Sequence, residues 1–178
     1  MKVINLAETN SAVSNYVAQL RDITVQGNRY LFRSNLKKIG MLMAYEISKT
    51  LDYSPKTILT PLAECTVSTC SDRIVVGTVL RAGLALHEGF MQIFDEADAG
   101  FVAAFRKEDG ENITIQLDYL ASPSLDGKTF MLVDPMLATG KSFEAAYKAY
   151  LTHGTPAKLH IVAVVASEQG VAYLQKLF

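Results

Sequence analysis

A chain of 178 residues with 49 % hydrophobic and 20 % charged side chains is of the folded globular class, long enough for one domain, 1–178, with a buried sheet and covering helices. Its formal net charge of −1, with dispersed cations and only Lys37-Lys38 approaching a cluster, argues against nucleic acid as a partner. No apolar stretch is long enough to cross a membrane, and Glu8 interrupts the N-terminal run too early for a secretion signal.

The N-terminal third is expected to be mostly helical. Phe32, Leu36, Ile39, Met43, Ile47 and Leu51 step by three or four residues, one face of an amphipathic helix that serves as core or subunit interface. These apolar faces exceed what one small sheet needs, which predicts at least a homodimer. Cys65 and Cys70 are the only cysteines. They lack the close pairing and neighbouring histidines of a zinc site and read as reduced thiols of a cytoplasmic protein.

Strands are expected near 74–80, 99–105, 113–120, 129–134 and 159–166, with helices after the first, fourth and fifth. The alternation predicts an α/β fold, an open and mainly parallel sheet flanked by helices. The first strand ends in Arg81-Ala82-Gly83, followed by a helix with Leu84, His87, Met91 and Phe94 on its apolar face. Ala82 and Gly83 let a ligand approach the backbone, and Arg81 offers a fork of donors matched to phosphate oxygens. A lone arginine that pairs with a surface acid is the plainer alternative. Arg106 ends the run Phe101-Val102-Ala103-Ala104-Phe105, and Lys107 through Asn112 read as an exposed hairpin turn.

The most informative stretch is Asp134-Pro135-Met136-Leu137-Ala138-Thr139-Gly140-Lys141-Ser142, between the strand Thr129–Val133 and a helix marked by Phe143, Ala146, Tyr147, Tyr150 and Leu151. Unpaired N–H groups and the dipole at a helix start attract an anion. Gly140 permits close approach, and the Thr139 and Ser142 hydroxyls can donate to phosphate oxygens. Asp134 would repel a phosphate placed on it and suits a sugar hydroxyl or a cation. Two other readings stand beside this one. A triphosphate P-loop needs a glycine where Pro135 stands, and an ordinary strand-to-helix turn would use a capping serine. His87, His153 and His160 lie outside both turns, so none is assigned a catalytic role.

Val79-Leu80-Arg81-Ala82-Gly83-Leu84, Ala104-Phe105-Arg106-Lys107 and Val133 through Gly140 resemble the type I phosphoribosyltransferases, and Pro135 in place of a second acid resembles the uracil branch. Phe32-Arg33, Leu42 through Glu46 and Thr60-Pro61-Leu62 add to the likeness. The resemblance implies transfer of the phosphoribosyl group of 5-phosphoribosyl 1-pyrophosphate (PRPP) to uracil, giving uridine monophosphate and pyrophosphate, with magnesium carried mainly by the substrate's pyrophosphate. It implies that Asp134 through Ser142 bind the ribose and 5-phosphate, and that Arg81 and Arg106 face the pyrophosphate. On this reading Arg81, Arg106 and Asp134 are the catalytic group, and no residue stands out as a dedicated base. Lys141 departs from the small residue usual in that family, its ammonium either strengthening phosphate binding or pointing into solvent. The resemblance also runs out at Phe178, before the C-terminal segment with which that family reads the base. A regulatory nucleotide- or RNA-binding protein of the same fold is the alternative.

Overall fold

The computed structural model describes the backbone of 1–109 and 112–178, and the side chains of 1–103 and 119–178. Two helices open the chain. Helix α1, Ala12–Arg21, starts at Ser11, whose hydroxyl accepts from Val13 N while Ser14 Oγ accepts from Ser11 N, each at 3.3 Å. Helix α2, Arg29–Ser48, starts at Asn28, whose side chain accepts from Leu31 N at 3.0 Å. The amphipathic face is there, with Leu36, Ile39 and Ala44 buried. Phe32 is 38 % exposed, and Leu51 is buried beyond the helix end. Helix α2 presses on α3, Leu84–Met91, where Gly40 meets Gly89. A Cβ on Gly40 would lie 2.5 Å from the Leu86 carbonyl oxygen, and one on Gly89 would collide with that of Lys37.

Next comes an antiparallel hairpin, β1 Tyr53–Leu59 and β2 Glu64–Cys70, which forms its own two-stranded sheet. The apolar periodicity gives no warning of it, because almost every side chain in it is exposed and no face is buried. Its base is fixed by charge instead. Lys158 Nζ lies 2.7 Å from Asp52 Oδ2 and 3.1 Å from Asp72 Oδ2, and Asp52 N donates to Asp72 Oδ2 at 3.0 Å. Both cysteines sit in β2 as exposed thiols.

The main sheet comprises β3 Ile74–Leu80, β4 Asp98–Asp109, β5 Asn112–Ala121, β6 Thr129–Leu137 and β7 Lys158–Ala166, in the order β5-β4-β3-β6-β7. Only β5 is antiparallel to its neighbour, so the mainly parallel sheet read from the sequence is present. β6 runs past Asp134 to Leu137, a correction to its expected end. Strand β7 gives it a partner that far, in the pairs Met136↔Val165 and Leu137↔Ala166, and the register passes over Pro135, which has no N–H to offer.

Helix α3 covers one face, where Leu86 and Phe90 pack with Val76, Met131, Val133 and Val162. Leu84 is not part of that packing; it is 45 % exposed, and the buried positions of α3 are Leu86, His87, Gly89 and Phe90. The other face carries α4, Lys141–Tyr150, and α5, Glu168–Leu177, whose Phe143, Ala146, Tyr150 and Leu174 pack with Val75, Phe130 and Leu132. Tyr150 is wholly buried against two glycines in register, Gly77 and Gly100; a Cβ on either would lie 2.9 Å from the phenol ring. Its hydroxyl accepts from Thr78 N at 3.2 Å and donates to Thr78 O at 3.3 Å.

Candidate active site

The chain passes from β6 to α4 through Ala138, Thr139 and Gly140. Gly140 has φ +81°, a left-handed conformation that other residues resist, and its α-carbon faces α5, where a Cβ would lie 2.6 Å from Tyr173 Cδ1. Helix α4 begins with no side-chain cap, and Ser142 lies inside its first turn. The capping-serine reading therefore fails, and the first-turn amides have no side-chain cap. A hollow of about 130 Å³ opens here, lined by Asp134, Met136, Ala138, Thr139, Gly140, Ser142 and Phe143. Asp134 is half-buried, and that burial pushes its carboxyl up to about 6. A ligand that donates to the carboxylate or carries positive charge would offset that loss of solvation.

The second turn leaves β3. The Leu80–Arg81 peptide is cis, Arg81 and Ala82 are exposed, and Gly83 is buried as the residue before α3. A Cβ on Gly83 would run into the Thr78 hydroxyl. That hydroxyl donates to Val133 O at 2.7 Å, so buried Thr78 ties β3 to β6 directly beneath both turns. β3 and β6 are adjacent and parallel, and the helices that follow them lie on opposite faces. The turns therefore flank the crevice where the connections diverge, the usual ligand position in an open α/β sheet.

Of the residues expected at the site, Asp134, Met136, Ala138, Thr139, Gly140 and Ser142 meet at the hollow, and Phe143 joins them. Pro135 and Leu137 lie within β6, with Leu137 in the core. Arg81, Ala82 and Gly83 stand at the neighbouring turn, outside the hollow's lining. Lys141 is exposed at the start of α4. Its charge helps to hold the Glu144 carboxyl below the ordinary range, behind the hydrogen bonds from Lys148 and Tyr173. Arg106 is in β4 opposite Ile115, and its side chain lies outside the described residues, as do positions 110 and 111 of the expected hairpin turn. Sequence reasoning passes over Thr78, Ser167 and Tyr173, which shape the turns from beneath and behind. Ser167 carried the one available signal, a capping residue at a strand-to-helix junction.

Among the described residues no three His, Cys, Asp or Glu side chains converge on a metal position. One carboxylate and two hydroxyls at the hollow suit a magnesium ion that keeps water ligands and is held largely by substrate phosphates. His87 is turned inward, its Nε2 3.1 Å from Val76 O, and burial holds its pKa down. No helix among the described residues is long and apolar enough to cross a membrane.

A family model described as uracil phosphoribosyltransferase matches residues 7–178. The chain is 44 % identical over 176 residues to the uracil phosphoribosyltransferase of Porphyromonas gingivalis, covering 98 % of this chain and 82 % of that protein. It is 31 % identical over 174 residues to that of Pyrococcus furiosus, covering 96 % and 74 %. Among solved structures, the AQ2163 protein of Aquifex aeolicus matches with TM-score 0.84 and 28 % identity, over 96 % of this chain and 80 % of that one. The purine phosphoribosyltransferase of Pyrococcus horikoshii shares the fold, with TM-score 0.55 and 12 % identity over 76 % and 75 %.

Proposed function

This chain belongs to the uracil phosphoribosyltransferase family, and from that membership we propose that it transfers the phosphoribosyl group of PRPP to uracil, releasing uridine monophosphate and pyrophosphate. The observation that carries the reading is the placement of two complementary turns on adjacent parallel strands. One presents free helix-start amides, the Thr139 and Ser142 hydroxyls and a half-buried Asp134; the other presents Arg81.

In this assignment the Ala138–Gly140 turn and the start of α4 hold the 5-phosphate, and Asp134 accepts from the ribose hydroxyls. The bond from the anomeric carbon to pyrophosphate breaks as the bond to a uracil ring nitrogen forms, with positive charge on the sugar and negative charge on the departing group. The nearby Asp134 carboxylate favours the first charge, and Arg81, together with Arg106, neutralises the second. Proton loss from the uracil nitrogen goes to solvent, no side chain being assigned as base. Magnesium, bound with the pyrophosphate, would add Lewis-acid stabilisation of its oxygens.

We place the protein in the cytoplasm, where its free exposed thiols stay reduced, and we assign it a homodimeric state. Support comes from the β1–β2 hairpin, which exposes Leu59 at 81 % and Leu62 at 97 %; a lone two-stranded ribbon is marginal in water until something covers it. Light scattering is expected to give at least twice the 19.5 kDa chain mass, and a monomer at working concentration would remove this assignment. The activity is tested by uracil-dependent pyrophosphate release. Pyrophosphate release with uracil but not with hypoxanthine is expected; PRPP binding without turnover on any base would overturn the transferase reading.

A further inference from the structure

Helix α5 comes after the last strand and contributes nothing to the lining of the hollow, yet its first two turns touch the back of the Ala138–Gly140 turn at successive points. Ser167 N donates to Leu137 O at 2.8 Å, and Ser167 Oγ donates to Ala138 O. The same hydroxyl accepts from Gly170 N at 2.9 Å, capping α5. One turn on, a Cβ at Gly170 would lie 2.5 Å from Ala138 O, so the helix backbone itself is seated on the turn. Tyr173 covers Gly140, and its hydroxyl donates to Glu144 in the first turn of α4, which Lys148 also engages. The carbonyl of Ala138 is thus drawn backward into α5, and Gly140 is confined in its left-handed conformation.

We propose that Ser167 and Tyr173 are positioning residues that set the phosphate-binding conformation of the Ala138–Gly140 turn from behind, without touching substrate. The inference rests on the phosphoribosyl reading of that turn. Holding Ala138 O backward leaves the Thr139 and Gly140 amides to face the hollow, and fixing this before binding removes an ordering cost that the ligand would otherwise meet.

Ser167 has two separable duties, which makes the test possible. Ser167→Asp keeps an acceptor that caps α5 but cannot donate to Ala138 O when ionised, whereas Ser167→Thr keeps both. Calorimetry on the full chain at pH 7.5 would measure binding of PRPP, of ribose 5-phosphate and of pyrophosphate alone, beside the thermal midpoint. Ser167→Asp is expected to weaken PRPP and ribose 5-phosphate about tenfold with the pyrophosphate affinity and midpoint near those of the wild type, Ser167→Thr to restore both, and Tyr173→Phe to weaken both sugar ligands about threefold. Equal PRPP affinity in Ser167→Asp and wild type, or an equal loss for all three ligands, would overturn the positioning role. Failure of the wild-type protein to bind either sugar phosphate would instead sink the reading beneath it.

Discussion

The two strand-end turns of the site are built on opposite principles. The β6–α4 turn is backed along its length: α5 lies behind Ala138 and Gly140, Leu137 is in the core, and among the described residues the one charged group lining the hollow is a half-buried carboxylate. The β3–α3 turn is held from within, by Gly83 packed over Thr78 and donating to Val79 O at 3.1 Å and by Leu84 N donating to Arg81 O at 3.3 Å, and it leaves Arg81 and Ala82 in solvent. The difference matches what each would handle. A sugar phosphate that persists through the reaction is met by groups held from behind, whereas the departing polyanion is met by a full positive charge whose attraction grows as negative charge develops on it.

Substituting the hinge of the rigid turn gives the largest expected effect. Gly140→Val must adopt a left-handed backbone and overlap Tyr173, and is expected to cost about 3 kcal/mol in urea unfolding; wild-type stability would show the turn to be as loose as its neighbour. Arg81→Ala should leave stability within about 0.5 kcal/mol because the side chain is exposed. PRPP affinity should fall on the order of 30-fold through loss of a charged hydrogen bond, and unchanged calorimetric binding would remove Arg81 from the site.

Asp134→Asn has a two-sided expectation. The folded carboxyl titrates at about 6 against an ordinary 3.8, so the folded chain holds this proton more tightly than the unfolded one. Stability therefore declines as pH rises from the unfolded value through the folded one and stays lowered above it. Above that window Asp134→Asn should raise the thermal midpoint while weakening PRPP roughly tenfold. Wild-type PRPP affinity should itself fall as pH drops through about 6 and the carboxylate protonates. A variant that loses both midpoint and affinity would show that Asp134 supports the fold. Smallest is Lys141→Ala, expected to change PRPP affinity less than about threefold and stability by about 0.3 kcal/mol, since its charge is exposed and acts only weakly on Glu144; a tenfold loss would place the ammonium on the phosphate.

What could be read from the chain follows from which forces leave a periodic trace. The five main strands are apolar runs bounded by turn residues, and α2 repeats its buried face at Leu36 and Ile39, so the sheet and its helices were legible. The hairpin was not, because its side chains face solvent and its anchor is an ion cluster joining residues 86 and 106 positions apart. At the site, Asp134 and the Thr139–Gly140 turn were visible as residue types in sequence. The contributions of Thr78, Ser167 and Tyr173 were invisible, since each depends on a neighbour distant in the chain: Val133, Ala138 and Glu144.

Tyr150 closes helix α4 at the end remote from the phosphate turn, yet its phenol is bonded to Thr78, beneath the other turn. Two glycines in neighbouring strands leave the room that its ring occupies. A smaller side chain here would leave a void beneath the sheet. A relative that replaces the tyrosine with a smaller side chain should carry compensating bulk where Gly100 stands here, while Phe130 by itself keeps Gly77 a glycine, so Tyr150 and Gly100 should drift as a linked pair.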